Sequence, residues 1–425
     1  MRHPAWAGRI TREQLIEWYR ASRARSRRLF QIPRPEAYFD RPIALRNPIV
    51  FYEGHLPAFC VNTLLKSALK QSGINGEYEQ LFERGIDPED ETVVKSPGSL
   101  WPAREDVQAY GAATDAAIEK ALRCERIEDD DVPQLRGAEA ALCLVEHEFM
   151  HQETLLYMFN NMSYDKKVPQ KSSVINTSNT RRETTRAVTI PAGLATLGTT
   201  REKQPFGWDN EFGAHQVEVE AFTIDRYSVT NGDYFAYMNA TGVPPPHFWL
   251  RKDGQWFWRG MFELVPLPLD WPVWVSQDEA AAFARWKGGR LPSEAEYDRA
   301  AFSTPQGQEV RFPWGDESPD ASRGNFDFQH WDPVPVGSYP AGASAWGVHD
   351  LAGNGWEWTS SIFEGFPGFE PMPSYPIYST DFFDGQHFVL KGASPVTGRE
   401  LIRRTFRNWF RPNYPYVFAK FRCVS

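Results

Sequence analysis

No stretch of this 425-residue chain approaches the ~20 consecutive apolar residues that a membrane-spanning helix needs, so a membrane-embedded protein is not expected. Residues 1–12 lack the apolar core of a secretory signal. Cysteine is scarce: Cys60, Cys124, Cys143 and Cys423 are widely spaced and form no CxxC pair. That usage argues against a disulfide framework and a structural zinc site, and it suits a reducing cytoplasm, the expected location. Positive charge is also in deficit. A net charge of -9 offers no general attraction to nucleic acid or to an anionic membrane, and neither is an expected partner. The early arginines (Arg20, Arg23, Arg25, Arg27 and Arg28) fall in a helical segment containing Glu and Leu, as on a solvated helix face. There is no internal repeat and no low-complexity tract, and oligomeric state is not legible.

What is present is a soluble globular composition, 41% hydrophobic and 24% charged, in a chain long enough for two domains. The first part has helical patterning, with helices expected at about 11–30, 56–73, 103–124 and 138–162. Thr11, Glu13 and Leu15 mark one helix start, and Pro102 with Glu105 and Asp106 marks another. Four such helices make a four-helix bundle the economical fold for residues 1–168. A polar tract over 169–186 reads as a linker. From 187 to 425 short β-prone runs broken by Gly, Pro and Asn, with helices at Ser276–Trp286 and Ser293–Phe302, indicate a loop-rich α+β domain. Most of the 16 tryptophans fall after residue 200.

The segment Val145-Glu-His-Glu-Phe-Met-His-Gln-Glu153 carries His147 and His151 four residues apart, on one face of a helix and one turn from each other. Two imidazoles so placed can grip one metal ion. Glu153 lies roughly 240° around the helix from His147 and points elsewhere. A third ligand must come from another segment, and His55, at the mouth of the second expected helix, is the candidate. A 2-His-1-carboxylate set using Glu53 or Glu148 is the alternative. Imidazole suits Fe, Zn and Cu alike, so the ligands do not choose the metal.

The second half carries a series of ordered motifs: Phe206-Gly-Trp-Asp-Asn-Glu211, Gly289-Arg-Leu-Pro-Ser-Glu-Ala-Glu-Tyr297, Phe312-Pro-Trp-Gly-Asp316, Asp350-Leu-Ala-Gly-Asn-Gly-Trp-Glu-Trp-Thr359, Lys391-Gly-Ala-Ser394 and Lys420-Phe-Arg422. Together they resemble the formylglycine-generating-enzyme (sulfatase-modifying-factor) domain, which implies a C-type-lectin-like α+β fold. Most of these motifs are turn chemistry or core aromatics, so the fold alone says little about reaction. Copper-type formylglycine chemistry uses a pair of cysteines near the C-terminus, and residues 185–425 contain only Cys423.

A helical bundle with His55 and His147-x3-His151, fused to this domain, resembles the ergothioneine-type sulfoxide synthases, whose bundle is DinB-like. The resemblance implies an Fe(II) cofactor held by His55, His147 and His151, with hercynine, O2 and a chalcogen donor as small-molecule substrates. It implies carbon–chalcogen bond formation at the imidazole C2 of hercynine. Asn408 and Trp409 would line the hercynine pocket, and Tyr375 and Tyr378 match a pair of active-site tyrosines, one able to supply a proton. An aromatic face can hold a trimethylammonium by cation–π attraction. Three positions depart from the family pattern. Met150 replaces a Gln that contacts the imidazole; Trp101 replaces an Arg, and Phe410 an Asp, that hold an amino-acid donor. Loss of both charges points towards the selenoneine synthase branch, with a selenosugar as donor. An ergothioneine-type enzyme using cysteine or γ-glutamylcysteine is the alternative; a DinB-type zinc hydrolase or thiol transferase and a non-catalytic lectin-like binding protein are the remote ones.

Overall fold

The computed structural model describes residues 10–83, 101–170 and 187–425. From residue 171 onward the expected linker lies outside the described residues. Helix α1 (Arg12–Leu29) starts where the sequence signals it: the Gln14 side chain accepts the Thr11 N–H, and the Thr11 hydroxyl accepts the Gln14 N–H. Helix α2 (Ile49–Cys60) runs without interruption into a wider π-helical segment, Val61–Ala68. The Leu69 N–H bonds there to the Leu64 carbonyl, five residues back. A short α3 (Gly76–Leu81) precedes the two long helices α4 (Arg104–Cys124) and α5 (Glu139–Asn160).

α2 begins seven residues earlier than the expected 56, and His55 therefore sits mid-helix rather than at a helix mouth. Pro57 suggested a boundary, because proline removes a helical N–H donor. Packing overrides it: apart from Glu53, every residue from Ile49 to Cys60 is buried, with α2 set between α4 and α5. The four long helices, α1, α2, α4 and α5, form the bundle.

The second half is α+β. Two-stranded pairs join β1 (Ala187–Ile190) to β4 (Phe222–Asp225) and β2 (Gly193–Leu197) to β3 (His215–Val219). A meander of β5 (Trp249–Lys252), β6 (Gln255–Arg259) and β7 (Leu264–Pro266) follows helix α6 (Asn231–Thr241). Helices α7 (Gln277–Trp286) and α8 (Glu294–Phe302) match the expected pair, each capped by a serine with a Glu at the third helical position. The main sheet has the order β10-β9-β8-β11, from β8 (Gly355–Ile362), β9 (Phe388–Ala393), β10 (Asn408–Phe410) and β11 (Ala419–Lys420).

The ordered motifs of this half are largely structural. Trp208, Trp258, Trp274, Trp356 and Trp358 are among its largest fully buried side chains. Gly355 has φ +133°, and a Cβ there would lie 2.7 Å from Trp274 Nε1, so the Gly-Asn-Gly turn admits no other residue without displacement. Glu357 pairs in register with Lys420 across β8 and β11 and accepts from buried Lys420 (2.7 Å) and Arg422.

Two buried polar clusters lock the bundle to this domain. Glu153, on α5, accepts from Trp356 Nε1 at 2.6 Å, Ser394 Oγ at 2.7 Å and Thr397 Oγ1 at 2.7 Å. Arg403 donates to both oxygens of Glu146 at 2.9 Å and, through Nε at 2.7 Å, to Glu211.

Candidate metal centre and substrate cavity

Helix α5 lines a cavity of about 510 Å³ at the junction of the two halves with His147, Met150, His151, Glu153, Thr154 and Tyr157. His147, Met150, His151 and Thr154 have the i, i+3, i+4, i+7 spacing of a single helical stripe. The rest of α5 is anchored elsewhere. Besides Glu146 and Glu153, Glu148 accepts from Arg23 of α1 at 3.0 Å and Gln152 donates to Ser26 at 3.0 Å. A helix held on every other side cannot rotate its two histidines out of the cavity.

His55, from α2, joins them: one ligand-capable atom of each of the three histidines lies within 4.8 Å of the others. The Nε2 atoms of His147 and His151 are 3.1 Å apart. Two nitrogens each about 2.1 Å from one ion, at right angles, stand about 3.0 Å apart, so this spacing suits adjacent coordination positions. His55 Nδ1 lies 2.8 Å from the buried Phe82 carbonyl. That contact makes Nδ1 the donor and leaves Nε2 as the atom with a lone pair for a metal. Phe51 stacks on His55 (centroids 5.1 Å, 15°) and Phe59 on His147 (3.5 Å, 9°). Phe51, His55 and Phe59 are spaced four residues apart on α2, so one helix face supplies a ligand and both ring supports. Burial first, then His55 and Arg46, push the His151 pKa well below the ordinary histidine range, which favours the neutral, ligating form.

The carboxylate alternatives lie elsewhere. Glu148 is turned to Arg23, and Glu53 accepts from Arg104 at 3.3 Å and Gln108 at 3.2 Å. Among the described residues the only group of three or more potential ligands is the histidine triad. Three imidazoles with open space beside them fit a mononuclear metal that binds further molecules.

The cavity wall opposite α5 comes from the second half. Asn408, Trp409 and Phe410 of β10 all line it, as do Tyr375 and Tyr378. Trp409 stacks on Phe363 at 4.0 Å and meets Tyr378 edge-on at 5.2 Å. The Tyr375 ring lies 6.2 Å from that of His147 and edge-on to Phe59. Tyr378 stacks on Trp208 at 4.0 Å and donates its hydroxyl to Met150 Sδ at 3.1 Å. Burial, chiefly, raises the Tyr378 pKa well above its usual value. Trp208 and Asp209 thus brace the tyrosine loop; Asp209 accepts from Ser379 at 2.5 Å. Phe410 stacks on Tyr414 at 5.0 Å.

Trp101, expected at the donor end, does not line this cavity. Its ring packs on Phe82 (6.0 Å) and Phe51 (6.2 Å), behind His55. An aromatic residue next to the Pro that precedes α4 finds an apolar cleft there and partly buries itself. Arg46 does line the cavity, together with Asp381, Asp384, Gln386 and Arg411, and sequence patterning did not flag it. It lies in the irregular segment before α2, and the one available signal was a cation nine residues ahead of His55.

A family model described as the sulfatase-modifying factor enzyme 1-like domain matches residues 171–425. A hercynine oxygenase of Mycolicibacterium thermoresistibile is 36% identical, the match covering 81% of this chain and 79% of that protein. One from Mycolicibacterium smegmatis is 34% identical, covering 75% and 77%. Ergothioneine biosynthesis protein 1 of Neurospora crassa is 28% identical over 92% of this chain but only 55% of its own length.

Proposed function

The chain belongs to the ergothioneine-type sulfoxide synthase family, and from that premise we propose an iron(II)- and O2-dependent enzyme that joins a chalcogen donor to the imidazole C2 of hercynine. The observation that carries this reading is the triad of His55, His147 and the half-buried His151 beside an aromatic-walled cavity. Bound there, iron(II) would bind and activate dioxygen, chemistry no side chain can supply, with hercynine and the donor as the source of the electrons that reduce it. The chain's own residues do the rest. Phe51 and Phe59 fix two ligand rings, and the Phe82 carbonyl fixes the His55 tautomer. Trp409 and Asn408 receive the betaine end of hercynine, the indole acting on the trimethylammonium by cation–π attraction. Tyr375, beside His147, holds a proton at its Oη for delivery near the metal. Tyr378, tied to Met150, shapes the pocket and sets the Tyr375 loop. On this reading residues 1–168 are the metal-bearing bundle and 187–425 the substrate-wall domain, joined by 169–186.

The donor is read as a selenosugar. The stacked Phe410–Tyr414 pair offers an apolar face for a sugar ring, and Asp381, Asp384 and Gln386 offer hydrogen bonds for its hydroxyls. Trp101 lends no support, because it lies behind His55. Arg46 and Arg411 in the same wall favour the second reading, a donor bearing carboxylate such as cysteine or γ-glutamylcysteine. A competition assay with hercynine, O2 and the three donors together decides between them. The selenosugar should be consumed first; consumption of the sulfur donors alone overturns the donor assignment.

A further inference from the structure

The cavity has a cationic end. Arg46 sits on a turn in which its N–H bonds to the Ile43 carbonyl at 3.0 Å. Its guanidinium is held between two tyrosines: Nε donates to Tyr414 Oη at 3.0 Å and Nη2 reaches Tyr157 Oη at 3.4 Å. The guanidinium carbon lies 5.5 Å from the Tyr414 ring centre and 5.8 Å from that of Tyr157. Tyr157 is itself fixed, donating to Thr154 at 3.1 Å, and Tyr414 stacks on Phe410. Three segments distant in sequence therefore hold one planar cation against the cavity. Such a guanidinium is preorganised for a planar carboxylate, with little conformational freedom left to lose on binding.

Position matters as much as charge. Tyr157 is six residues beyond His151 on α5, a rise of about 9 Å along the helix, which a small betaine can bridge once a metal–nitrogen bond of about 2.1 Å and a hydrogen bond of about 2.9 Å are added at its two ends. Phe410, under Tyr414, adjoins Trp409 in β10. The cavity is thus lined by metal-ligand candidates, an aromatic cation-binding face and a fixed cation. Hercynine carries three matching groups: an imidazole, a trimethylammonium and a carboxylate. We propose that Arg46 is a positioning residue that receives a substrate carboxylate in this cavity, that of hercynine in the first instance. This rests on the hercynine reading above. The same chemistry could be presented by an amino-acid donor, and the test separates the two sources.

The test uses the full chain loaded with Fe(II) under anaerobic conditions, so that binding is read without turnover. Hercynine, its carboxamide analogue and cysteine are titrated separately by calorimetry into wild type, Arg46→Gln and Arg46→Lys. A lost charge-assisted contact should weaken hercynine binding roughly 10- to 100-fold in Arg46→Gln, with partial recovery in Arg46→Lys. The carboxamide, lacking the charge, should change less than about threefold by the same arithmetic. A merely structural arginine would weaken both ligands alike. If hercynine is unaffected and cysteine binding falls instead, Arg46 stays a carboxylate anchor and the donor becomes an amino acid. Equal losses for hercynine and carboxamide, or no loss for any ligand, overturn the assignment. Should Arg46→Gln fail to fold, Tyr414→Phe removes one clamp and keeps the charge. It should cost hercynine several-fold more than carboxamide, and equal effects overturn the proposal. Wild-type protein that binds no hercynine contradicts the functional reading itself; retained wild-type binding, with neither hercynine nor cysteine weakened by Arg46→Gln, contradicts only this inference.

Discussion

Replacing Arg403 by Met should unlatch the metal helix from the second domain. Arg403, Glu146 and Glu211 are essentially buried, with side-chain exposures of 3%, 2% and 0%. Arg403 donates two bonds to Glu146 and two to Glu211, so it is the shared cation of two carboxylates. Met fills much of the same volume but leaves both carboxylates buried beside each other without the cation they share. Breaking a buried pair in this way costs about 3–5 kcal/mol. Glu146→Gln alone is milder, about 1–2 kcal/mol, because Arg403 keeps Glu211 and can still donate to the amide oxygen. In the double variant only Glu211 is left stranded, so the combined cost should fall short of the sum by about 1–2 kcal/mol. Urea unfolding, followed by tryptophan fluorescence and far-ultraviolet circular dichroism, measures all three. A cost below about 1 kcal/mol for Arg403→Met, or additivity within about 0.5 kcal/mol, would refute the reasoning.

Phe59→Ala removes the ring stacked on His147 and should weaken Fe(II) affinity about 10- to 100-fold, measured by chelator competition, with a stability cost of about 3–5 kcal/mol. Unchanged iron affinity would mean that the stack does not orient the ligand. His247, whose Nε2–H donates to Asn161 at the end of α5 (2.7 Å), has its pKa pushed down to about 4 by burial and then by Arg259. Between the ordinary value near 6.5 and about 4, the unfolded chain takes up a proton that the folded chain refuses. The stability is therefore present above about pH 6.5 and is lost as pH falls towards 4, by on the order of 2–3 kcal/mol from this group. His247→Gln should flatten that part of the pH–stability curve, and an identical curve would show that His247 does not carry it.

The bundle and the sheet domain were readable from local rules: a helix start marked by Thr11, Glu13 and Leu15, helical runs beginning at Ser276 and Ser293, and helical spacing through α5. The face-sharing of His147 and His151 follows from helix geometry alone. What could not be read are contacts made by residues far apart in the chain. Glu148 and Glu53 looked as available to a metal as any carboxylate until Arg23 and Arg104 were found beside them. His55 was displaced from a helix mouth to mid-helix because burial of the Ile49–Cys60 segment outweighs the local preference of Pro57. Trp101 took a cleft against Phe82 that no pattern in its neighbours announces. Arg46 has no motif at all; its place depends on Tyr157 and Tyr414, 111 and 368 residues away.

The central claim is that three histidines and the cavity beside them make one iron-dependent oxygenation site. Oxygen uptake by anaerobically reconstituted protein tests it most directly, with iron content measured on the same sample. One Fe(II) per chain is predicted, with uptake that requires both hercynine and a chalcogen donor and is abolished by His147→Ala. Protein that binds no iron, or that consumes no oxygen when both substrates are supplied, would contradict the account.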